Sequence, residues 1–402
     1  MSVSTRKRVR VLVVIKGTEY AGVRTHLLYD QAYGTEAGID SEYLCLEAGS
    51  LYEALRERGA PVTIIGGKVP GKSPRSRLLL PLLWLRALRG FRAAYSGTLT
   101  ELRRHRPDIV YVHNPYLRVI CGLAAKRASC PSVGCFHNML NRTPLFGLQR
   151  VFASMVYAYC LDAIVALSGF ARDTLWGPAR RIARTIYNGL EFDPIDEAIR
   201  GVSKVPRRLA LIGRITVGKK QDVALRALAH LRDQNVHCTL DIIGGPADDS
   251  NLYFRHLRKL AEQLDITDRV NFTGWLSPPH PRLAAAEVCL NCSTSEALAY
   301  AVPEAMACGT TVVVAAPGPL AELVQHGVTG LHFQADNPES LAAVTKELLV
   351  KPELRSRLAA GARAESERTF DIRARTERLR DLFLEVRATR YGRHRHNKPA
   401  SA

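Results

Sequence analysis

Short, near-continuous apolar runs recur at Val9–Ile15, Val62–Ile65, Ile109–Val112, Val133–Phe136 and Ala163–Leu167. The longer segments between them carry apolar residues at helical spacing. Strands apolar on both faces and alternating with helices predict a parallel sheet covered on both sides. The same alternation restarts at Leu209–Ile212, Thr239–Ile243, Val270–Phe272, Val288–Asn291 and Thr311–Ala315. Between the two series, Asn188–Arg208 is polar and turn-rich, with Pro194 and Pro206, and reads as a domain boundary. The expected fold class is therefore α/β, with two doubly wound Rossmann-like domains at 1–190 and 191–371. The remaining 372–402 is expected to form a helix returning toward the N-terminal domain, followed by a frayed basic tail from Arg387. Two such domains are expected to place the C-terminal ends of both sheets around a central cleft, since open α/β sheets bind ligands outside those ends.

The chain has 402 residues, 47% hydrophobic and 23% charged, which is the mix of a globular enzyme and excludes a disordered, collagen-like or small disulfide-stapled protein. Nine unevenly spaced cysteines predict reduced thiols and a cytoplasmic location. The longest apolar run, Leu78–Leu85, is broken by Pro81 and falls short of the ~20 residues of a spanning helix. Basic residues at Arg6, Lys7, Arg8 and Arg10 precede only a short apolar stretch, Val11–Ile15, which reads as a first strand and not a signal sequence.

Charge changes this picture. The net charge is +18, and residues 1–190 hold 27 Lys and Arg against 12 Asp and Glu, whereas 191–350 hold 15 against 19. From Arg58 to Arg92 there are eight basic residues and no acid. Helical spacing within this stretch puts Trp84, Leu88, Phe91 and Tyr95 on one face, Arg86 and Arg89 opposite, and Arg92 on the flank. A core-packed helix with a solvated basic side fits that pattern. So does a helix lying on an anionic membrane, and the regional charge favours the membrane, docked through Lys68–Arg92. No nucleic-acid recognition motif accompanies the charge.

The densest chemical signal is Ser293–Gly309. Glu296 follows a strand ending near Cys292, and Glu304 lies in a helix that starts at Pro303 or slightly earlier, so both acids are able to face one ligand. The backbone N–H groups from Ala299 through Tyr300 and Ala301 to Val302 would form a helix N-terminus suited to phosphate oxygens. A second signal is Gly213-Arg214 at a strand end with Lys219 on the following loop, two cations placed to clamp a leaving diphosphate.

These motifs resemble the family-4 retaining glycosyltransferases, which have the GT-B fold. The matches are Gly213-Arg214, Lys219, Glu296, and Glu304-Ala305-Met306-Ala307-Cys308-Gly309, together with Asn188-Gly189 and a strand-end histidine, His137. The resemblance implies that Glu304 accepts hydrogen bonds from the donor ribose and that Glu296 touches the donor sugar near its reacting carbon. Arg214 and Lys219 would neutralise the diphosphate. Gly22, in the first loop, would let backbone approach the phosphates. His137 would sit near the sugar or acceptor, with Asn138 beside it where the family often has an acid.

The resulting expectation is a hexosyltransferase that retains configuration, with a UDP- or GDP-sugar as donor, no metal and no other cofactor. Its acceptor would be a glycan, lipid-linked, in cell-surface polysaccharide or lipopolysaccharide assembly, met on the inner face of the cell membrane by a peripherally bound enzyme. The chain contains no Asp-x-Asp sequence, in keeping with a metal-free mechanism. The alternatives are a GT-B sugar-nucleotide epimerase and a non-catalytic GT-B binding subunit. Cys289 and Cys292 form an isolated Cys-x-x-Cys that reads as strand and not as a zinc site. Asp248 and Asp249 read as turn residues, and His113 ends a strand and is weighed as a further site residue.

Overall fold

The computed structural model describes residues 7–19, 21–66, 80–137, 147–294, 296 and 300–396. The chain divides into two units, Met1–Gly189 with Ile372–Ala402, and Leu190–Asp371.

Unit 1 begins with β1 (Val9–Ile15), α1 (Ala21–Ala37), β2 (Ile39–Cys45), α2 (Ser50–Glu57), β3 (Val62–Ile64) and α3 (Leu80–His105). It continues with β4 (Ile109–Val112), α4 (Pro115–Arg127), β5 (Ser132–Phe136), α5 (Leu148–Cys160), β6 (Ala163–Ala166), α6 (Gly169–Asp173), α7 (Gly177–Arg181) and β7 (Ala183–Thr185). Unit 2 opens with α8 (Phe192–Ile199), β8 (Arg208–Ile212), α9 (Gln221–Asp233), β9 (Thr239–Ile243), α10 (Leu252–Gln263), β10 (Val270–Gly274) and α11 (His280–Ala285). It closes with β11 (Val288–Asn291), α12 (Ala301–Ala307), β12 (Thr311–Ala316), β13 (Gly330–Gln334), α13 (Pro338–Val350) and α14 (Pro352–Phe370). The last helix, α15 (Ile372–His396), returns the chain to unit 1.

The two sheets have the orders β3-β2-β1-β4-β5-β6-β7 and β10-β9-β8-β11-β12-β13, and the strand pairs are parallel. In each, the chain winds outward from a first central strand and then restarts on its other side. The restart leaves a crevice at the C-terminal strand ends, between β1 and β4 in unit 1 and between β8 and β11 in unit 2. The expected doubly wound α/β units are present. The apolar runs form the central strands, and every residue of β4, β6 and β11 is buried.

Three strands escape the apolar-run pattern. β3 pairs only with Tyr43–Cys45, so the first half of β2 lies at the sheet edge and tolerates Asp40, Ser41 and Glu42. β7 and β13 are edge strands. β13 opens on Gly330, where a Cβ would fall 2.5 Å from Val312 O, so its first residue is chosen for backbone approach and not for β propensity.

Within unit 1, α15 packs on α1. The Arg375 guanidinium, 1% exposed, pairs with the Asp30 carboxylate, and Phe383 meets Tyr111 edge-on with centroids 5.2 Å apart. A Cβ at Gly189 would fall 2.6 Å from Ile372 Cα, which explains the glycine of the Asn188-Gly189 tract as a packing requirement. Among the described residues the expected fraying from Arg387 is not observed: α15 stays helical to His396, and Arg387 reaches Asp108 at 3.2 Å.

The membrane reading of the basic helix falls largely outside the described residues. α3 runs well beyond Trp84–Tyr95, and Phe91 packs against the unit 1 core and near Tyr116, while Arg89 and Arg92 are exposed. The described part of its aromatic face therefore turns inward, the core-packed arrangement. Residues 67–79, and the side chains of Trp84, Arg86 and Leu88, lie outside the described residues. A different apolar stripe is exposed, on α5, where Leu148, Phe152, Met155 and Tyr159 follow one another at helical spacing, with Phe152 71% exposed.

Candidate functional site

The unit 2 crevice is built from two strand ends. β8 runs into Gly213, whose N–H donates to Ile243 O at 2.9 Å. At φ 152° a side chain is strained here, and a Cβ would come within 3.2 Å of Lys219 Cε, so glycine leaves the lysine stem its room. Arg214 follows, exposed, with its carbonyl accepting from the buried Gln221 amide at 2.9 Å. That bond ties the loop to the first turn of α9. Lys219 closes a 3₁₀ turn, Val217–Lys219, and points back across the glycine.

From the other side of the crevice, β11 ends at Asn291, whose side-chain oxygen accepts from Ser293 N–H at 3.2 Å. Ser293 Oγ in turn donates to Glu296 Oε1 at 2.9 Å, and Lys219 Nζ pairs with that same oxygen. Both members of the ion pair are largely covered, with side-chain exposures of 16% and 14%. The sequence-predicted residues Gly213, Lys219 and Glu296 are thus brought into contact. Arg214 leaves the same strand end on the exposed side of the loop.

Glu304 sits on α12, a helix otherwise made of buried small or apolar residues, with Tyr300 at its N-cap and Ala301 as its first residue. Pro303 is the third residue of the helix, whose start is Ala301. Glu304 keeps a little surface, but protein surrounds its carboxyl, and this burial raises its pKa from 4.5 to about 7 against the opposing pull of the Lys219 charge. Among the described residues its carboxylate takes no hydrogen bond. Lys219 therefore serves two acids, one by direct pairing and one through its field. Ala299 lies outside the described residues, as does Asn138.

The unit 1 crevice differs from expectation at its glycine. Gly22 falls inside the first turn of α1 and not in the loop. The loop glycine is Gly17, at φ 100°, where a Cβ would lie 2.0 Å from Glu47 O. The loop N–H groups of Lys16 and Gly17 each donate to the Glu19 carboxylate at 2.7 Å. An isolated Glu in a turn gave no sequence signal for that role.

His137 follows β5, and its Nε2 lies 2.9 Å from His113 Nδ1. Burial, with the nearby Arg118 and Arg375 charges adding to it, pushes the His137 pKa down to about 3, so its ring is neutral at physiological pH. It is suited to hydrogen bonding and not to donating a proton as imidazolium. His113 is buried and accompanies it. Two further residues that the sequence left unmarked gather here, His26 of α1 and Arg375 of α15. Cys289 and Cys292 are buried in and beside β11, as the strand reading expects, and Asp248 forms a turn by accepting from Ser250 N–H at 2.9 Å.

Two family descriptions match the chain, Glycosyl transferases group 1 over residues 194–365 and Glycosyltransferase Family 4 over residues 48–193. A D-inositol 3-phosphate glycosyltransferase of Thermomonospora curvata is 34% identical over 212 residues, 50% of this chain and 48% of the relative, so the match spans about half the relative's length. The enzyme of the same name from Saccharomonospora viridis is 31% identical over 313 residues, 73% of this chain and 68% of its own. Among solved structures, Anabaena HepE in complex with UDP superposes with a TM-score of 0.76 at 19% identity, over 94% of this chain and 100% of HepE.

Proposed function

The chain belongs to the family-4, group 1 glycosyltransferases of GT-B fold, and from that premise we propose that it moves a hexose from a nucleotide-diphosphate sugar to an acceptor hydroxyl with retention of configuration. The observation that carries the reading is the arrangement at the unit 2 crevice. The Lys219–Glu296 pair and the enclosed Glu304 flank the two strand ends where a doubly wound sheet binds its ligand. Glu304 accepts the ribose hydroxyls. Lys219 and Arg214 take up the charge that grows on the diphosphate as the glycosidic bond breaks, and Glu296 faces the sugar carbon. When a donor arrives, Lys219 exchanges its Glu296 oxygen for phosphate oxygens. This supply of cations is what makes a metal dispensable for the step. His137 and its neutral ring serve the transferred sugar or the acceptor as a hydrogen-bonding partner.

For the acceptor, the relatives' names favour a different class from the polysaccharide or lipopolysaccharide expected from sequence. Both curated relatives are named for D-inositol 3-phosphate. We place a phosphorylated polyol, free or carried on a lipid, first. The lysine- and arginine-rich first half of the chain suits a phosphorylated acceptor or an anionic membrane that holds one. For membrane docking the exposed α5 stripe, with Lys126 3.7 Å above the Tyr159 ring, is the better surface than α3. No helix among the described residues is long and apolar enough to cross a membrane.

A thermal-shift panel of UDP, GDP, ADP and their sugars, run in excess EDTA, tests the donor reading. A ligand at 100 times its dissociation constant adds about 2.7 kcal/mol to stability. One nucleotide class should stabilise the protein strongly, and its sugar should be hydrolysed slowly without acceptor. Indifference to every nucleotide, or a response that needs magnesium, overturns it.

A further inference from the structure

Strand alternation brings three metal-type side chains to one face of the unit 1 sheet, and a helix adds a fourth. Tyr111 and His113 share a side of β4 and its extension, two residues apart, and Cys135 and His137 do the same on the neighbouring β5. His26, from α1, covers the same face. One donor atom from each of His26, His113, Cys135 and His137 lies within 4.8 Å of every other. His26, His113 and Cys135 are buried, and His137 is partly so.

Three imidazoles and a thiol are the donor set of a tetrahedral zinc-class site. Zinc bonds of about 2.0–2.1 Å to nitrogen and about 2.3 Å to sulfur put tetrahedral donors roughly 3.3–3.7 Å apart. Since every donor pair lies within 4.8 Å, no separation needs to contract by more than about 1.1–1.5 Å.

The electrostatics of the face suit a cation better than its arginines suggest. His113 Nε2 is buried with no hydrogen-bond partner. Arg375 faces His26 at 3.2 Å, but the Asp30 carboxylate neutralises it. Asp30 Oδ2 also lies 3.4 Å from His26 Nε2, a charge contact without a hydrogen bond. Arg118, the other nearby cation, stacks over Phe136, which points to the opposite face of β5, and over Tyr157 of α5.

We propose that His26, His113, Cys135 and His137 form a binding site for a single zinc-class divalent ion. Binding forms a metal–sulfur bond, breaks the Cys135 S–H bond and releases that proton to solvent, so the site gains one positive charge and no redox partner is needed. The site lies wholly within unit 1 and does not depend on the donor chemistry assigned to unit 2.

The test is a titration of the full chain, stripped of metal and reduced, with Co²⁺ followed by absorption and with Zn²⁺ against a chromophoric chelator. The expected result is one Co²⁺ per chain, with the intense visible bands of a tetrahedral ion and a thiolate-to-cobalt charge-transfer band. Cys135→Ser should lose the charge-transfer band, and Cys135→Ser and His113→Gln should each weaken Zn²⁺ by at least about 100-fold, the upper end of what loss of an outer-shell partner costs. Circular dichroism of each stripped variant establishes that it is folded, and a tail variant in which His394 and His396, two histidines of the basic stretch after Arg387, are both replaced by Gln should bind like the wild type. Absence of the tetrahedral bands, a charge-transfer band that survives Cys135→Ser, or binding abolished by the tail variant overturns the site.

Discussion

Replacing Glu304 with glutamine should make the ligand-free protein more stable and the enzyme worse. The carboxyl has a pKa of about 7 in the folded chain against 4.5 in the unfolded one, because burial disfavours its ionised form. Below pH 4.5 both states hold the proton and the group is neutral to stability. Between 4.5 and 7 the unfolded state ionises first, so it binds fewer protons than the native state, and stability falls as pH rises. Above 7 the loss is complete, at about 1.4 kcal/mol for each pH unit between the two values, or about 3 kcal/mol. Residual water access at Glu304 reduces this to about 1–3 kcal/mol. Glutamine mimics the protonated acid and removes the penalty. For a unit of this size 1 kcal/mol corresponds to about 2–4 °C, so the melting transition at pH 8 should rise by about 2–12 °C. At pH 4.5 the wild type and Glu304→Gln should melt together. Donor KM should rise about tenfold to a hundredfold, because the charge-assisted bonds to ribose are lost in ground and transition states alike. Calorimetry at pH 4.5, 6 and 8 is the assay. Melting curves for the two chains that stay parallel across that range would refute the reasoning.

Three other outcomes are expected. Lys219→Ala and Arg214→Ala should each lower kcat about 100-fold in a donor-hydrolysis or transfer assay, since both cations act on charge that develops in the transition state; near-normal kcat in both places the phosphate elsewhere. Gly189→Ala, which drives a methyl to 2.6 Å from Ile372 Cα, should destabilise unit 1 by about 1–3 kcal/mol and speed proteolysis of α15, and an unchanged melting curve shows that the backbone yields. Phe152→Asp with Met155→Asp should abolish sedimentation with anionic vesicles at low salt, whereas Arg89→Glu with Arg92→Glu should only weaken it; the opposite ranking returns the membrane surface to α3.

The sequence exposed the architecture wherever burial is two-sided. β4, β6 and β11 are apolar throughout because both faces are covered, and they are plain in the pattern. The first half of β2 is not, because its neighbour is too short to cover it and Asp40 and Glu42 carry no penalty there. Helical spacing correctly grouped Phe91 with Tyr95, yet periodicity states only that two side chains share a face, not whether protein or lipid meets it. In unit 2 the Gly213, Lys219, Glu296 and Glu304 positions were legible because they follow the ends of two strands, β8 and β11, in segments whose pattern is dense. In unit 1, Gly22 was read as the loop glycine because nothing in the sequence separates a glycine of a helix's first turn from one of the preceding loop. Gly17 is distinguished only by the Glu47 carbonyl behind it, which comes from a different strand's end. His26 and Arg375 were invisible for the same reason, since their contact joins residues that no local pattern relates.

The Arg375–Asp30 pair spans 345 positions of sequence, and that separation bears on how the chain is made. Unit 2 is one continuous segment, whereas unit 1 is closed by residues that are made only after unit 2. Until α15 arrives, α1 presents Asp30 and His26 without their cover, and the β1–β4 face lacks Phe383 against Tyr111. The later half of the chain is therefore free to fold first, while the earlier half waits with apolar surface open, a state prone to aggregation and a natural client for a chaperone. A stop codon near residue 371 would leave unit 2 with every residue it uses and strip unit 1 of α15, so the loss would be felt in the unit whose other residues are made before unit 2.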